Sequence, residues 1–476
     1  MSFIVYDLAI LVLFAIFVSI FLYRGKKNLK REGLLFLYRT SWGIKFIDYI
    51  GKRYRKTLYI LSYISIGIGY ILMISMIYLF GRIIYIYVAF PNIVKAIKVP
   101  PITPLIPYLP RMFKLDFLPE FYFVYWILIL AVIAITHEFA HGIFANRYNI
   151  KIKSTGFGFF PFFLPVFLAA FVELDEKKMV KKKKFNQLAI LSAGTFANVL
   201  TAILFLFVMW IFFVNAFTPV GVNFDTYSYS IVGLSGITAI NGTNISNTTY
   251  QGLLDSIPNN TTNIKVIAEN RVYIANKEIL EEQTPTDGLI VLYDNTPAIN
   301  SELKGTIKEI NGVKITSRDI LGEELLKYSP GETINIKTSY EGKELDFNVK
   351  LEKNPDNPEV PWLGIGFYNQ QGSGVIGKVY SFFSSFKKPN IEYESKFNEI
   401  SIFVYNLLWW LILISISVAL VNMLPVGIFD GGRFFYLTVL GITGKRKWAD
   451  KAFSFMTYLF LFLILLLMVF WALSFR

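Results

Sequence analysis

Residues 136–142 read Thr136-His137-Glu138-Phe139-Ala140-His141-Gly142 and lie near the end of an apolar block, 121–146. Two imidazoles four residues apart share one face of a helix, so both reach a single metal ion. Glu138, next to the first of them, is set to take a proton from an attacking water. This is the H-E-x-x-H zinc arrangement. The chain has only two His, and this motif holds both. The competing reading is a pair of imidazoles packed in an apolar helix for no chemical purpose. It is the weaker one, because ionisable groups inside a span are costly and are mostly functional.

Working outward, the block around the motif is one of six. Apolar runs at roughly 4–23, 57–80, 121–146, 188–214, 400–421 and 453–475 each approach the length of about 20 residues that a bilayer requires. Overall 54% of residues are hydrophobic and the mean hydropathy is +0.48, well above an ordinary soluble chain. The first run continues into a basic segment without a small-residue cleavage site, so it is expected to be a span rather than a cleaved signal. Two further apolar pieces stand at 83–90 and 155–172. The second is rich in Phe, Gly and Pro and is expected to be a re-entrant hairpin or loop, sheltered by protein or a water cavity. The net charge of +13 is not a nucleic-acid signal, because the Lys and Arg residues form short runs beside the apolar blocks. With the runs at 24–31, 52–56, 177–184 and 445–447 all in the cytosol, the N-terminus, 81–120 and 216–399 face outward. There is no Cys, so a metal here uses His, Asp, Glu or water.

Residues 216–399 are polar and show strand-like alternation, as in Ile334-Asn335-Ile336-Lys337-Thr338. They contain a repeat. Ile237-Thr238-Ala239-Ile240-Asn241-Gly242, then Ile245, recurs as Ile307-Lys308-Glu309-Ile310-Asn311-Gly312, then Ile315. Each copy reads as strand, Asn-Gly turn, strand and short helix (253–257 and 320–328). A generic β-rich domain is the plainer reading. The copies resemble tandem PDZ domains, the second more closely through Thr296-Pro297-Ala298, Leu303-Lys304-Gly305 and Pro330-Gly331-Glu332-Thr333. Such domains bind extended peptide at a sheet edge.

Two imidazoles need a third protein ligand. Asp430 follows the fifth apolar run in Asn422-Met423-Leu424-Pro425-Val426-Gly427-Ile428-Phe429-Asp430-Gly431-Gly432-Arg433. Pro425 and Gly427 break a helix, and the glycine pair permits close approach. A helix-capping Asp is an equal reading on spacing alone. Glu173 and Asp175 are rival ligands, but they adjoin a Lys-rich run and are expected to be solvated.

Together these motifs resemble the site-2 protease family of intramembrane zinc metalloproteases, over most of the chain. His137 to Gly142 is similar to its zinc motif, Phe171-Val172-Glu173-Leu174 to the stretch after its membrane-associated hairpin, Ser192-Ala193-Gly194-Thr195-Phe196-Ala197-Asn198 to its small-residue helix motif, and Asn422 to Gly432 to its third-ligand motif. Thr195 replaces a common Pro and Phe429 a common Leu. The resemblance implies Zn2+ held by His137, His141 and Asp430, with Glu138 catalytic. It also implies Asn198 or Asn422 hydrogen-bonding the substrate backbone or the oxyanion. The expected fold is a polytopic α-helical membrane protein of about six spans with an extracytosolic β-rich tandem PDZ-like insertion. Its parts are N-terminal spans (1–120), a catalytic core (121–215), two PDZ-like domains (216–284; 285–399 with linker) and a C-terminal core (400–476). Expected partners are transmembrane protein substrates, the lipid bilayer and peptide ligands of the PDZ-like region, with no nucleic acid. The expected reaction is peptide-bond hydrolysis within or near substrate spans, as in regulated intramembrane proteolysis. Two rivals are weighed. A prenyl-protein endopeptidase shares only the zinc motif and uses a Glu third ligand. A non-enzymatic membrane PDZ scaffold has no need of Glu138.

Overall fold

The computed structural model describes residues 3–25, 28–32, 35–91, 94, 105–115, 118–159, 168–244, 249–257, 263–283, 288–368, 377, 381 and 385–473. They form two compact units, one of 1–211 with 402–476 and the other of 212–401.

Six helices among the described residues are long and apolar enough to cross a membrane. They are α1 (Phe3–Arg24), α3 (Arg55–Ala89), α4 (Phe123–Arg147), α5 (Lys184–Ala216), α6 (Glu399–Asn422) and α8 (Arg446–Leu473). The chain is a multi-pass membrane protein. Two shorter helices lie beside them in sequence, α2 (Ile44–Arg53) and α7 (Asp430–Thr443). The apolar piece at 83–90 is not separate: α3 runs through it to Ala89, because no Pro or polar cluster stops the helix before Pro91.

The first unit also holds a four-stranded antiparallel sheet in the order β1 (Leu29–Glu32), β2 (Leu35–Thr40), β3 (Ile152–Phe159), β4 (Leu168–Leu174). The segment 155–172 is therefore a β3–β4 hairpin, whose connection at 160–167 lies outside the described residues. The hairpin continues into β2, where Phe36 faces Phe159 and Thr40 faces Thr155.

The membrane core packs small and polar residues between helices. The Ser65 hydroxyl meets that of Ser192 at 2.8 Å, and Tyr148 donates to Ser62 at 2.8 Å. Around them cluster Leu72, Phe144, Ile190, Phe196, Met423 and Phe434. In lipid the helices gain little from hydrophobic burial alone, so close packing and interhelical hydrogen bonds carry the association. On α1, buried Asp7 accepts the backbone N–H of Phe123 at 2.7 Å and of Val124 at 3.0 Å, and the Tyr108 hydroxyl. Those N–H groups have no partner within α4, so a carboxylate from α1 caps the helix that carries the zinc motif.

The second unit carries two main sheets. One has the strands β6 (Tyr229–Gly233), β11 (Leu289–Asp294), β10 (Arg271–Asn276), β9 (Asn263–Ala268), β7 (Ile237–Ile240) and β8 (Thr243–Asn244), in that spatial order. The other runs β15 (Lys343–Lys350), β14 (Thr333–Tyr340), β12 (Thr306–Ile310), β5 (Phe217–Val222) and β16 (Ile391–Ser395), with β13 (Val313–Lys314) paired to β12. Because β5 belongs to the second sheet and β11 to the first, the two sheets interleave across residue 284. Each sheet has its own core, around Val266 and Leu253 in one and Ile307 and Ile334 in the other.

The repeat is structural. Asn241-Gly242 and Asn311-Gly312 both have positive φ, at 48° and 80° and at 46° and 85°, as a two-residue hairpin turn with strand-matched twist requires. Each Asn side chain then accepts a backbone N–H 24 positions on, from Lys265 at 3.1 Å and from Asn335 at 2.8 Å. Ile315 is buried, while Ile245 of the first copy lies outside the described residues. Its helix is Tyr250–Asp255, that of the second copy Arg318–Leu325.

Candidate metal centre

The sequence Thr136 to Gly142 continues α4 without interruption, so His137 and His141 share a face, and both are buried. The chain stops being helical at Asn422, turns through 423–429 and re-enters helix at Asp430. That turn carries Asp430 back to α4. Its Oδ2 lies 3.4 Å from His137 Nε2 and 3.2 Å from His141 Nε2, and the two Nε2 atoms are 3.1 Å apart. The three side chains offer ligand atoms all within 4.8 Å of one another.

The helix-cap role weighed for Asp430 does not describe its contacts: Phe429 is the N-cap residue of α7, and no side chain caps that end. The glycine pair holds the turn tight. A Cβ on Gly431 would stand 2.3 Å from the Met423 carbonyl carbon, and one on Gly432 2.3 Å from the Val426 oxygen. The rival carboxylates are engaged elsewhere. Glu173 meets Ser154 at 2.7 Å, Arg39 at 3.1 Å and Lys153 at 3.7 Å. The Ser154 hydrogen bond, helped by both cations and opposed by partial burial, holds its carboxyl below the ordinary range. Asp175 caps the helical turn Glu176–Val180 through the Lys178 N–H.

The protonation pattern fits a metal ion. His141 Nδ1 is 2.7 Å from the Ile190 carbonyl oxygen, which only accepts, so the imidazole proton sits on Nδ1 and Nε2 presents a lone pair. His137 Nδ1 meets the Asn198 amide at 3.0 Å, while Asn198 Oδ1 is buried without a partner. Turning the amide over, an exchange that leaves its shape unchanged, lets Oδ1 accept from Nδ1–H and frees Nε2 of His137 as well. Two nitrogen lone pairs and a carboxylate oxygen then face one point, an arrangement that repels itself unless a cation lies between them. Two imidazoles and one carboxylate are a catalytic zinc donor set with an open fourth position, and hydrogen bonds at the far ring nitrogens are the usual support of metal-bound His.

Glu138 lies alongside and accepts the Val172 N–H of β4 at 2.9 Å. A cavity of about 640 Å³ is lined by Glu138, His141 and Asp430 with Arg39, Glu173 and Arg433 among others. Its lining brings charged side chains next to the candidate ligands. Asn198 is thus gathered at the metal centre, through His137. Asn422 is not: it lines a separate, mainly apolar cavity of about 510 Å³ with Leu105, Trp410 and Leu413.

Three contributors are additions to the sequence reading. The Ile190 carbonyl and Val172 N–H are backbone groups with no residue-type signal. Gly194 did carry one, as the centre of a small-residue run. A Cβ there would lie 2.3 Å from His141 Nε2 and 2.6 Å from His137 Nε2, so only glycine lets α5 close over the metal-facing edge of the imidazoles.

Residues 125–467 match the model of Peptidase family M50. The chain is 26% identical over 216 residues to the zinc metalloprotease RasP of Shouchella clausii, covering 40% of this chain and 51% of that protein. It is 31% identical over 199 residues to the uncharacterized protein MJ0971 of Methanocaldococcus jannaschii, covering 40% of this chain and 48% of that protein. The chain thus spans about half the length of each of these relatives.

Proposed function

The chain belongs to Peptidase family M50, and from that premise we propose that it is a zinc metalloendopeptidase cutting peptide bonds within or near the spans of other membrane proteins. The carrying observation is the convergence of His137, His141 and Asp430 within 4.8 Å, the two imidazoles on a helix long enough to cross the bilayer and the carboxylate at the start of α7. These three would hold the ion, and the chemistry it would supply there is polarisation of a carbonyl and acidification of water.

Glu138 takes the proton from the attacking water as its oxygen bonds to the carbonyl carbon. When the C–N bond breaks, Glu138 returns that proton to the departing amine nitrogen. The Val172 N–H holds the Glu138 side chain in place through both transfers. Asn198 orients His137. Asn422, half-buried and without a hydrogen-bond partner among the described residues, is offered as a donor to the backbone of a locally unwound substrate.

The basic runs support an orientation with 24–31, 52–56, 177–184 and 445–447 in the cytosol and 216–399 outside. In the second unit a cavity of about 600 Å³ between helix Arg318–Leu325 and residues 361–365 supports reading it as PDZ-like, with extended peptides as ligands. The rivals gain no such support. A PDZ scaffold leaves Glu138 without a task, and a prenyl-protein endopeptidase does not account for Asp430.

The test is reconstitution of the purified chain with a single-span protein in one bilayer, with the products mapped by mass spectrometry. New termini inside or at the edge of the apolar segment are expected. Cuts only in soluble loops, or none with zinc bound, would reject the proposal.

A further inference from the structure

We propose that α2 is a lipid-binding helix, whose outer face takes the phosphate headgroup of an anionic lipid beside the zinc motif. This goes beyond the peptidase reading and rests on a different part of the chain. The sequence Ile44-Lys45-Phe46-Ile47-Asp48-Tyr49-Ile50-Gly51-Lys52-Arg53 is amphipathic at the helical period. Its inner face is seated on α4. Ile47 is fully buried, its methyls 3.0 and 3.1 Å from where a Cβ on Gly142 would stand. Asp48 accepts from the Asn146 amide at 2.5 Å, and Gly51 lies against the same Asn146.

The outer face carries Lys45, Tyr49, Lys52 and Arg53, at helical spacings that bring them together. With Asp48 they line a hollow of about 470 Å³. Asp48 is occupied by Asn146. None of Lys45, Lys52 and Arg53 has an ion pair or hydrogen bond among the described residues, and all three are exposed. On and next to α2 stand Trp42, Phe46, Tyr49 and Tyr54, each at least half exposed, at 61%, 54%, 62% and 50%. Cations interleaved with exposed aromatics are the composition that settles at a bilayer interface.

The level of α2 is fixed by its neighbours. One residue, Tyr54, separates α2 from the span α3, which Arg55 opens. Arg55 donates to the Arg147 carbonyl at 3.3 Å, and Arg147 returns a bond to the Arg55 carbonyl at 2.6 Å. The start of α3 and the end of α4 therefore lie together, and α2 lies at the height of the span ends, where headgroup phosphates are. In the orientation proposed above that is the cytosolic leaflet, the anionic one. Trp42 and Phe46 pack on Phe139 at 5.6 and 6.2 Å. Phe139 follows Glu138 directly, so α2 packs on the helix of the metal centre beside the catalytic residue.

The test uses the full chain in phosphatidylcholine vesicles with increasing brominated phosphatidylglycerol, the bromines quenching tryptophan. The Trp42 signal is the difference between the native chain and Trp42→Phe. It should be quenched more by brominated phosphatidylglycerol than by equally brominated phosphatidylcholine. The preference should fall about fivefold for each charge removed in Lys45→Gln, Lys52→Gln and Arg53→Gln. Lys445→Gln with Lys447→Gln should leave it unchanged. Equal quenching by the two lipids would overturn the proposal. So would an equal loss in the 445/447 variant, which would mean general surface charge. Abolition of the preference by inorganic phosphate would also overturn it, marking a site for the free ion.

Discussion

At the residue scale the centre is crowded on its closed side. A methyl group added at Gly194 would stand 2.3 Å from His141 Nε2, nearer than any unstrained contact. Gly194→Ala is expected to lose zinc and cleavage together, with helix content by circular dichroism kept. An active, zinc-loaded Gly194→Ala would remove α5 from the account of the site. Asn198 and Asp430 separate by degree. Asn198→Ala leaves all three ligands and removes only the support on His137 Nδ1, so zinc affinity should fall about 10–100-fold. Asp430→Ala removes a ligand, and its zinc content in purified protein should drop to background. If Asp430 were only a helix-start residue, zinc would stay and stability would fall by about 1 kcal/mol.

At the scale of elements, β4 acts on the chemistry through its backbone. The Val172 N–H donates to Glu138, so Val172→Pro removes that bond. Hydrogen bonds to charged groups contribute about 1.5–3 kcal/mol. Turnover should therefore fall about 10–100-fold with zinc content unchanged, and native turnover in this variant would release Glu138 from β4. The hairpin also carries a pH signature. The Glu173 carboxyl is held below its ordinary value, so its bonds to Ser154, Arg39 and Lys153 stabilise the fold fully above that value and are lost as pH falls through the lowered one. The thermal midpoint of Glu173→Gln should lie below native at neutral pH and converge on it only below about pH 4. A difference that persists in acid would assign the effect to packing. These elements also mark how far the sequence could be read. The spans and the zinc motif were legible because a 3.6-residue period and an apolar run are local signals. The β1–β2 hairpin was not, since Leu35-Phe36-Leu37-Tyr38 is too short to announce a strand and its partner β3 lies more than 100 residues on. Asp430 was legible only to even odds from Pro425, Gly427 and the glycine pair. Its approach to His137 and His141 is a tertiary fact that the family resemblance, not spacing, anticipated. The interleaving of β5 and β11 was hidden because alternation shows that a strand exists but not which sheet it joins.

At the scale of the whole molecule, the second unit enters and leaves through neighbouring strands. β5 and β16 pair antiparallel, Phe217 opposite Ser395, and the Lys396 N–H donates to the Ala216 carbonyl at 2.9 Å. A short linker from 216 to 396 can therefore replace everything between. His137, His141 and Asp430 all lie outside that stretch, so the deleted chain should keep zinc and basal cleavage. If the unit admits substrates whose outer part has already been trimmed, the deletion should cut full-length and trimmed forms at closer rates. An unchanged preference ratio would reject that filter and leave the unit a partner-binding module. The central claim, hydrolysis at His137, His141 and Asp430 with Glu138 as the base, is tested most directly by Glu138→Gln in the bilayer, with metal content and cleavage of a transmembrane substrate measured on the same sample. The prediction is about one zinc per chain and no product. Cleavage at the native rate by zinc-loaded Glu138→Gln would contradict it.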